Sequence, residues 1–244
     1  RATPTCSTGC DAMNAALILS GGSGTRMGAG CPKQFLPLCG VPILVRAVRA
    51  FATHPKIGCV MVVCSADMLP QTKELLRAVP TQKPLLLTAG GATRQASSKS
   101  GLLALSRLRP QPDVVVIHDA ARPLVPHAVI TRCIAGAAAH GACTAALPMQ
   151  DTAAVADKSG RISAIPDRSA LFLVQTPQAF SFPLILNAHR ALEPGVQVTD
   201  DTAVARLAGH GVFCVPGDKR SLKITTKEDL AFAQALLEGE GLTE

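Results

Sequence analysis

Residues 15–28 read Ala-Ala-Leu-Ile-Leu-Ser-Gly-Gly-Ser-Gly-Thr-Arg-Met-Gly, an apolar run followed at once by a glycine-rich turn. The apolar run predicts a buried strand, and the turn brings two cations, Arg26 and Lys33, close behind it. Because glycine lets backbone N–H groups approach an anion closely, strand and turn together predict a phosphate-binding loop. The spacing fits neither Walker A nor the dinucleotide fingerprint, since Met27 stands where a third glycine is needed. The glycines alone also allow an ordinary loop with two solvated cations.

Short apolar runs continue to alternate with segments of helical periodicity along the chain. The predicted strands are residues 15–19, 59–64, 84–88, 113–118, 142–148, 171–174 and 212–215. The predicted helices are residues 42–51, 67–79, 95–108, 126–140, 184–192, 201–209 and 227–238. This order predicts an α/β fold, a single Rossmann-like domain over residues 13–240 with a mainly parallel, twisted sheet covered on both faces. We expect residues 1–12 to be a disordered leader or a cloning remnant.

The alternation of strands and helices stops between Gln150 and Asp167, where the chain becomes polar. A turn signal at residues 157–160, Asp-Lys-Ser-Gly, lies in the middle of this segment. We therefore predict a β-hairpin arm over residues 150–168 that projects from the sheet. A disordered surface loop is the alternative.

Composition narrows the class of protein. An apolar content of 48% permits a large core, and aromatic residues make up 3% with no Trp or Tyr, which disfavours stacking of single-stranded nucleic acid. The net charge of +7 is scattered without a long basic run, so we expect no nucleic-acid partner. No apolar run reaches the roughly 18 residues of a membrane span, so we expect no membrane association. The nine cysteines are odd in number and lie mostly in apolar runs, which predicts reduced thiols in a cytoplasmic protein.

Polar clusters follow three of the predicted strands, at residues 20–26, 90–94 and 118–123. The carboxyl ends of parallel strands meet at one edge of a sheet, and ligands of open α/β folds bind there. We therefore expect the three clusters to form one binding site.

Longer motifs in the same order resemble those of the 2-C-methyl-D-erythritol 4-phosphate cytidylyltransferase family. They cover about residues 13–238. The matching segments are Gly-Gly-Ser-Gly-Thr-Arg-Met-Gly (21–28), Pro-Lys-Gln-Phe-Leu (32–36), His-Asp-Ala-Ala-Arg-Pro (118–123), Asp-Thr (151–152), Asp-Arg (167–168), Gln-Thr-Pro-Gln-Ala-Phe (175–180), Thr-Asp-Asp (199–201) and Leu-Lys-Ile-Thr (222–225). The resemblance implies a nucleotidyltransferase domain of the non-mevalonate isoprenoid pathway.

The reaction that the resemblance implies joins CTP to a sugar-alcohol phosphate, methylerythritol phosphate, and releases pyrophosphate. The acceptor phosphate attacks the α-phosphorus in line, so that catalysis consists of positioning and charge neutralisation. Mg²⁺ is expected as the cofactor, held mainly through the CTP phosphates, with no protein metal site. A homodimer is implied in which the hairpin arm wraps the partner, and Thr152 and Arg168 enter the partner's active site.

The resemblance also implies a role for each matching position. Arg26 and Lys33 stabilise the pentavalent phosphorus, and Lys223 and Arg168 hold the acceptor phosphate. His118 is expected to be structural, since the reaction needs no base. The substrate-binding positions are Ser20, Gly21, Gly22, Gly24, Gly90 and Ser97, mostly at the cytidine end, with Asp119, Arg122, Thr152 and Thr176 on the acceptor side.

Some of these residues also have simpler interpretations, and two positions differ from the pattern of the family. From the residues alone, Lys223 could be a solvated strand residue, Arg168 a cation at the hairpin end, and Asp119 a cap on the next turn. Ala92 stands where the family commonly has an acidic residue, which leaves the selection of cytosine open, and Thr25 replaces a frequent basic residue.

Three other functions compete with this prediction. Ribitol-5-phosphate cytidylyltransferase shares the loop and the mechanism, and is the first alternative. A nucleotide-sensing module would be expected to lack one of the cations Arg26, Lys33 and Lys223, all of which are present. The nucleotidyltransferase half of a fused two-activity protein would require a second, metal-binding domain.

Overall fold

A seven-stranded sheet forms the centre of the fold in the computed structural model, which describes residues 13–22, 32–193 and 195–239. The strands in these residues are β1 (Asn14–Leu19), β2 (Pro37–Leu38), β3 (Val41–Pro42), β4 (Cys59–Cys64), β5 (Leu85–Ala89), β6 (Val114–Asp119), β7 (Ala142–Pro148), β8 (Val155–Ala156), β9 (Ile162–Ala164), β10 (Phe172–Ser181) and β11 (Phe213–Pro216). The helices are α1 (Ile43–Ala52), α2 (Leu69–Leu76), α3 (Arg94–Leu105), α4 (His127–His140), α5 (Phe182–Ala191), α6 (Asp201–Leu207) and α7 (Lys227–Gly239).

The central sheet is mainly parallel, as the sequence predicts. Its strand order is β11-β7-β10-β6-β1-β4-β5, and β10 alone among these strands runs against its two neighbours. The chain leaves β1 toward β4 and β5 and then returns to β6 on the other side of β1. Such a reversal of strand order opens a crevice at the carboxyl ends of β1 and β6, where open α/β sheets bind their ligands.

Both faces of the sheet are covered, because the central strands carry consecutive apolar residues. All six residues of β1 are buried. Ala16 and Ile18 pack with the apolar sides of α1 and α4, whereas Ala15 and Leu17 pack with α3 and α5 on the opposite face. This double burial fixes β1 in the middle of the domain and its carboxyl end at the crevice.

The predicted hairpin arm is present as a separate antiparallel pair, β8 and β9. Asp157 closes its turn, since one carboxylate oxygen accepts hydrogen bonds from the backbone N–H groups of Ser159 and Arg161. Gly160 supplies the positive φ of +87° that the turn requires. Apolar side chains on and beside the arm are exposed, Ile162 to 58% and Ile165 to 64%.

β10 differs from the prediction, which ended the strand at Val174. The strand continues to Ser181 and pairs with β6 through residues 178–181. Its register with β7 shifts between Val174 and Gln178, around Pro177, which has no N–H to donate to a ladder. The polar Gln-Thr-Pro segment conceals this continuation in the sequence.

α7 begins where the sequence predicts it. Thr226 and Asp229 form a reciprocal cap, in which the Thr226 N–H donates to Asp229 Oδ2 at 2.8 Å and the Asp229 N–H donates to Thr226 Oγ1 at 3.3 Å. Within the residues of the structure, no helix has both the length and the apolar character needed to cross a membrane.

Gly101 allows α3 to lie close to the sheet, and this contact generates a stability prediction. A Cβ there would clash with Leu17 Cδ1 and lie 2.8 Å from Val63 Cγ2, both in the buried core. We expect Gly101→Ala to lower the free energy of unfolding by about 1–3 kcal/mol, because overpacking outweighs the gain in helix propensity. Chemical denaturation measures this value.

The matched control is Gly239→Ala on α7, where a Cβ would meet nothing within 4 Å. Its free energy of unfolding should stay within about 0.5 kcal/mol of the parent. Equal effects of the two substitutions would contradict close packing at Gly101.

Candidate active site

A cleft of about 480 Å³ opens at the carboxyl ends of β1 and β6, beside the start of α3. Seven of the residues predicted for the site line it: Ser20, Gly21, Gly22, Lys33, Ser97, Asp119 and Lys223. Arg26 and Gly24 lie outside the described residues. All three predicted strand-end clusters meet in this cleft, which is lined by Ser20 of the first, residues 91–94 of the second and Asp119 of the third, and α3 adds Ser97.

Ser97 joins the end of β5 to α3 at one wall of the cleft, which Gly91 lines and Gly90 does not. The Ser97 hydroxyl lies 3.2 Å from both the backbone N and the backbone O of Gly91. A Cβ at Gly90 would stand only 2.6 Å from the same hydroxyl oxygen. Glycine at position 90 is thus needed for the end of β5 to approach α3 this closely. Ala92 is exposed and lines the cleft.

Asp119 carries the carboxylate of the cleft and lies between two cations. Its Oδ1 accepts a hydrogen bond from Arg94 Nε at 3.1 Å, and its Oδ2 accepts one from Lys223 Nζ at 2.8 Å. Burial opposes the charged form, but Arg94 and Lys223 outweigh burial, so the pKa of Asp119 lies well below its ordinary value. Asp119 is therefore a stable anion that fixes both cations.

Arg94 lies in the predicted cluster of residues 90–94, but the sequence analysis gave it no role of its own. It is the first residue of α3, where the helix dipole disfavours a cation. Burial works against its charge, but Asp201 and Asp119 raise the pKa of the guanidinium above its ordinary value. Two local signals could have singled it out: its place in the strand-end cluster at residues 90–94, and the unusual position of an arginine in a first helical turn.

Lys33 and Lys223 approach the cleft from distant parts of the chain. Lys33 Nζ donates to the backbone carbonyl of Ile224 at 2.9 Å, and the Ile224 N–H donates to the carbonyl of Ala121 at 2.8 Å. Among the cleft-lining residues of the structure, three are cations and one is a carboxylate. The cleft therefore has an excess of positive charge, which suits a polyphosphate ligand.

Thr176 and Arg122, predicted to contact substrate, do not line this cleft. Thr176 is buried; its Oγ1 accepts from the Asp119 N–H at 3.1 Å and donates to His118 Nδ1 at 3.0 Å. Arg122 Nη1 donates to the carbonyl of Ser221 at 2.6 Å. Both side chains hold the 118–122 turn in place, and direct substrate contact for them remains a prediction.

Thr152 and Arg168 lie at the two ends of the arm segment and are exposed. Arg168 Nη1 donates to the carbonyl of Gln150 at 2.9 Å. Neither residue lines the cleft of its own chain. Their predicted place in a partner's active site remains a prediction.

The sequence matches one family over residues 14–239, described as IspD, 2-C-methyl-D-erythritol 4-phosphate cytidylyltransferase. Curated relatives include the bifunctional IspD/IspF enzymes of Rhodopseudomonas palustris, 44% identical, and Nitrobacter winogradskyi, 43% identical. Each alignment covers 91% of this chain and 55% of the relative, so the chain spans about half the length of these proteins.

Solved structures with the same fold carry related names. A 4-diphosphocytidyl-2C-methyl-D-erythritol synthase from Anaerococcus prevotii is 26% identical with a TM-score of 0.80, covering 93% of this chain and 97% of that chain. The 2-C-methyl-D-erythritol 4-phosphate cytidylyltransferase from Thermus thermophilus is 31% identical with a TM-score of 0.73, covering 93% and 99%.

His118 beneath the cleft generates a pH prediction. Its Nε2 donates to the carbonyl of Arg122 at 3.0 Å while Nδ1 accepts from Thr176, which fixes the neutral ring. Burial lowers the pKa of His118 from 6.5 to about 4. As the pH falls, the unfolded chain therefore takes up a proton on this ring before the folded chain does. The contribution of the neutral ring to the free energy of unfolding is complete above pH 6.5. It is lost as the pH falls toward 4, by about 3 kcal/mol in all.

The direct measurement is NMR titration of the His118 ring in the parent protein. We expect its midpoint near pH 4, with the unfolding free energy falling between pH 6.5 and 4. A midpoint near 6.5 would contradict a buried neutral ring.

Proposed function

The chain belongs to the IspD family of 2-C-methyl-D-erythritol 4-phosphate cytidylyltransferases, and from this premise we propose that it transfers the cytidylyl group of CTP to 2-C-methyl-D-erythritol 4-phosphate in isoprenoid precursor biosynthesis. The convergence of Lys33, Arg94 and Lys223 on a cleft at the β1–β6 crevice supports this proposal best. A cationic cleft at that position suits the binding of a nucleotide and a second phosphate.

The proposed reaction is a single displacement. A phosphate oxygen of the acceptor forms a bond to the α-phosphorus of CTP, the bond from the α-phosphorus to the bridging oxygen breaks, and pyrophosphate leaves with the electron pair. The nucleophile is already an anion, so no side chain has to remove a proton. The chain supplies position and fixed positive charge, which stabilise the charge that develops in the transition state.

The positively charged side chains have different proposed roles in this reaction. Lys33 on the nucleotide side and Lys223 on the acceptor side are linked through one loop segment, because Lys33 donates to the carbonyl of Ile224, the residue after Lys223. Lys223 is fixed by Asp119 at 2.8 Å. We place Arg26 with Lys33 at the α-phosphorus on the resemblance alone. Ser97 and the backbone at Ser20 and Gly21 form the proposed cytidine side of the cleft.

The donor set of the cleft fits Mg²⁺ carried by the nucleotide. Asp119 is the one carboxylate among the described residues that line the cleft, and Arg94 and Lys223 occupy its two oxygens. The CTP phosphates and water would therefore hold the ion, and no side-chain ligand is assigned. When bound, Mg²⁺ neutralises phosphate charge and lowers the barrier to displacement.

A homodimer is proposed as the catalytic unit. The exposed apolar side chains of the arm, including Val155, Ile162 and Ile165, support an interface there.

We further propose a cytoplasmic location, since the six cysteines of the described residues are free thiols and four of them are buried.

Pyrophosphate release tests the proposed reaction. With CTP, Mg²⁺ and 2-C-methyl-D-erythritol 4-phosphate, we expect stoichiometric pyrophosphate and a CDP-alcohol. Release with ribitol 5-phosphate alone would replace the proposed acceptor with the alternative one. No release with either acceptor would exclude cytidylyl transfer to both.

Lys33→Met tests the charge at the α-phosphorus. We expect turnover to fall on the order of 10²–10³-fold, because a charge that acts in the transition state is lost. Lys73→Met on α2 removes an exposed lysine that does not line the cleft, and should leave turnover unchanged. A loss confined to CTP affinity would mean that Lys33 serves ground-state binding.

Subunit complementation tests the dimer. Lys33→Met and Arg168→Ala chains are each expected to be weakly active, and their heterodimer would contain one intact site if Arg168 enters the partner's site. Co-refolding equal amounts should restore about a quarter of the parent activity, since about half of random dimers are mixed and each has one intact site of two. No recovery, with mixed dimers verified by mass, would place Arg168 in its own chain's site or outside any site.

A further inference from the structure

The segment Thr-Asp-Asp at residues 199–201 has no part in the proposed reaction, although its second aspartate is fully buried. Asp201 is the first residue of α6 and does not line the cleft. It is nevertheless bonded directly to Arg94, which does line the cleft. A buried carboxylate is costly unless it is fully paired, so its partners indicate what it is for.

Asp201 is held from several sides. Its Oδ1 accepts from Ser98 Oγ at 2.6 Å and from His189 Nε2 at 2.9 Å. Its backbone N–H donates to Gln178 Oε1 at 3.1 Å. Three elements, α3, α5 and β10, thus fix the position of this carboxylate. Its second oxygen, Oδ2, accepts from Arg94 Nη1 at 2.8 Å.

Arg94 uses different nitrogens for its two carboxylates. Nη1 reaches Asp201, and Nε reaches Asp119 Oδ1 at 3.1 Å. A planar guanidinium can bridge two carboxylates in this way, whereas an ammonium group has no such fork. The side chain of Arg94 is 27% exposed and that of Asp201 is 1% exposed, so the inner ion pair is shielded from water.

A chain of alternating charges therefore joins the core to the cleft. In order it runs from Asp201 to Arg94, Asp119 and Lys223, with every link at 3.1 Å or less. Because Arg94 holds Oδ1 of Asp119, the other oxygen, Oδ2, is presented to Lys223.

We propose that Asp201 is a positioning residue for acceptor binding, which sets Arg94 so that Asp119 in turn locates the ammonium group of Lys223. This inference rests on the proposed function, because it assumes that the cleft binds a phosphate acceptor. It assigns the Thr-Asp-Asp segment a role in specificity for the phosphate acceptor rather than for CTP.

The charge of Asp201 is essential to this arrangement. Burial raises the pKa of Asp201, but the hydrogen bond from His189 and the charge of Arg94 bring the net pKa below its ordinary value. An asparagine would keep the shape but could turn only one oxygen toward these donors, and it would present either no charge or an N–H₂ group to Arg94. Arg94 would then be held by Asp119 alone.

The test compares the steady-state constants of Asp201→Asn with those of the parent. We expect KM for 2-C-methyl-D-erythritol 4-phosphate to rise about tenfold, while KM for CTP and kcat change by less than about twofold. Loss of folded protein alone would lower kcat and leave both KM values unchanged. That result, or an equal rise of both KM values, would overturn the proposal.

Ala205→Gly is the matched control. Ala205 lies inside α6, is buried, and has no side-chain group that could bond to Arg94 or Asp201. Its replacement should destabilise the same helix with both KM values unchanged. Arg94→Lys should reproduce the tenfold rise in KM, and the double variant with Asp201→Asn should show no further rise, because both act on one contact. Additive effects would contradict action through Arg94.

A second measurement does not depend on activity. In ¹⁵N NMR spectra of the parent protein, the Nη protons of Arg94, assigned with Arg94→Lys, should be resolved and slow to exchange. In Asp201→Asn they should merge through free rotation. If the parent releases no pyrophosphate but this change is seen, the proposed function fails and the anchoring of Arg94 stands. If the signals are unchanged, the anchoring fails whatever the activity.

Discussion

The ion pairs of Asp119 govern the geometry of the cleft. This carboxylate ends β6 at the crevice and holds Arg94 at 3.1 Å and Lys223 at 2.8 Å. Without an anion between them, the positive charges from α3 and from residues 222–224 would repel each other in a partly buried site. The attraction draws two distant segments together, and it leaves the cleft with a net positive charge for phosphate.

Several buried polar side chains around the cleft support Asp119 and its neighbours rather than a ligand. Thr176 Oγ1 accepts from the backbone N–H of Asp119, and His118 Nε2 donates to the carbonyl of Arg122 in the same turn. Gln178 holds the backbone of Asp201, and Gln175 exchanges two hydrogen bonds with the backbone of Asp218. The Gln-Thr-Pro-Gln segment is thus a polar support built into β10, and its burial explains why each of its side-chain polar atoms has a partner.

The sequence predicted the features of the fold that short-range patterns determine. β4 and β7 match their predicted bounds, Cys59–Cys64 and Ala142–Pro148, because buried parallel strands are continuous apolar runs. The rule for strand ends placed Ser20 and Asp119 together, whereas Lys223 was identified only through the resemblance. Arg94 and Asp201 are 107 residues apart, and an ion pair over such a separation leaves no periodic signal in either segment. The latter half of β10 was missed because polar residues and a proline break its alternation.

The central claim is that fixed positive charge aligns an acceptor phosphate for one direct displacement at the α-phosphorus of CTP. The stereochemical course of the reaction tests it most directly. With the Sp diastereomer of CTP carrying sulfur on the α-phosphate, ³¹P NMR of the product diphosphate should show inversion of configuration at that phosphorus. Retention would require a covalent enzyme intermediate, and would contradict catalysis by positioning and charge alone.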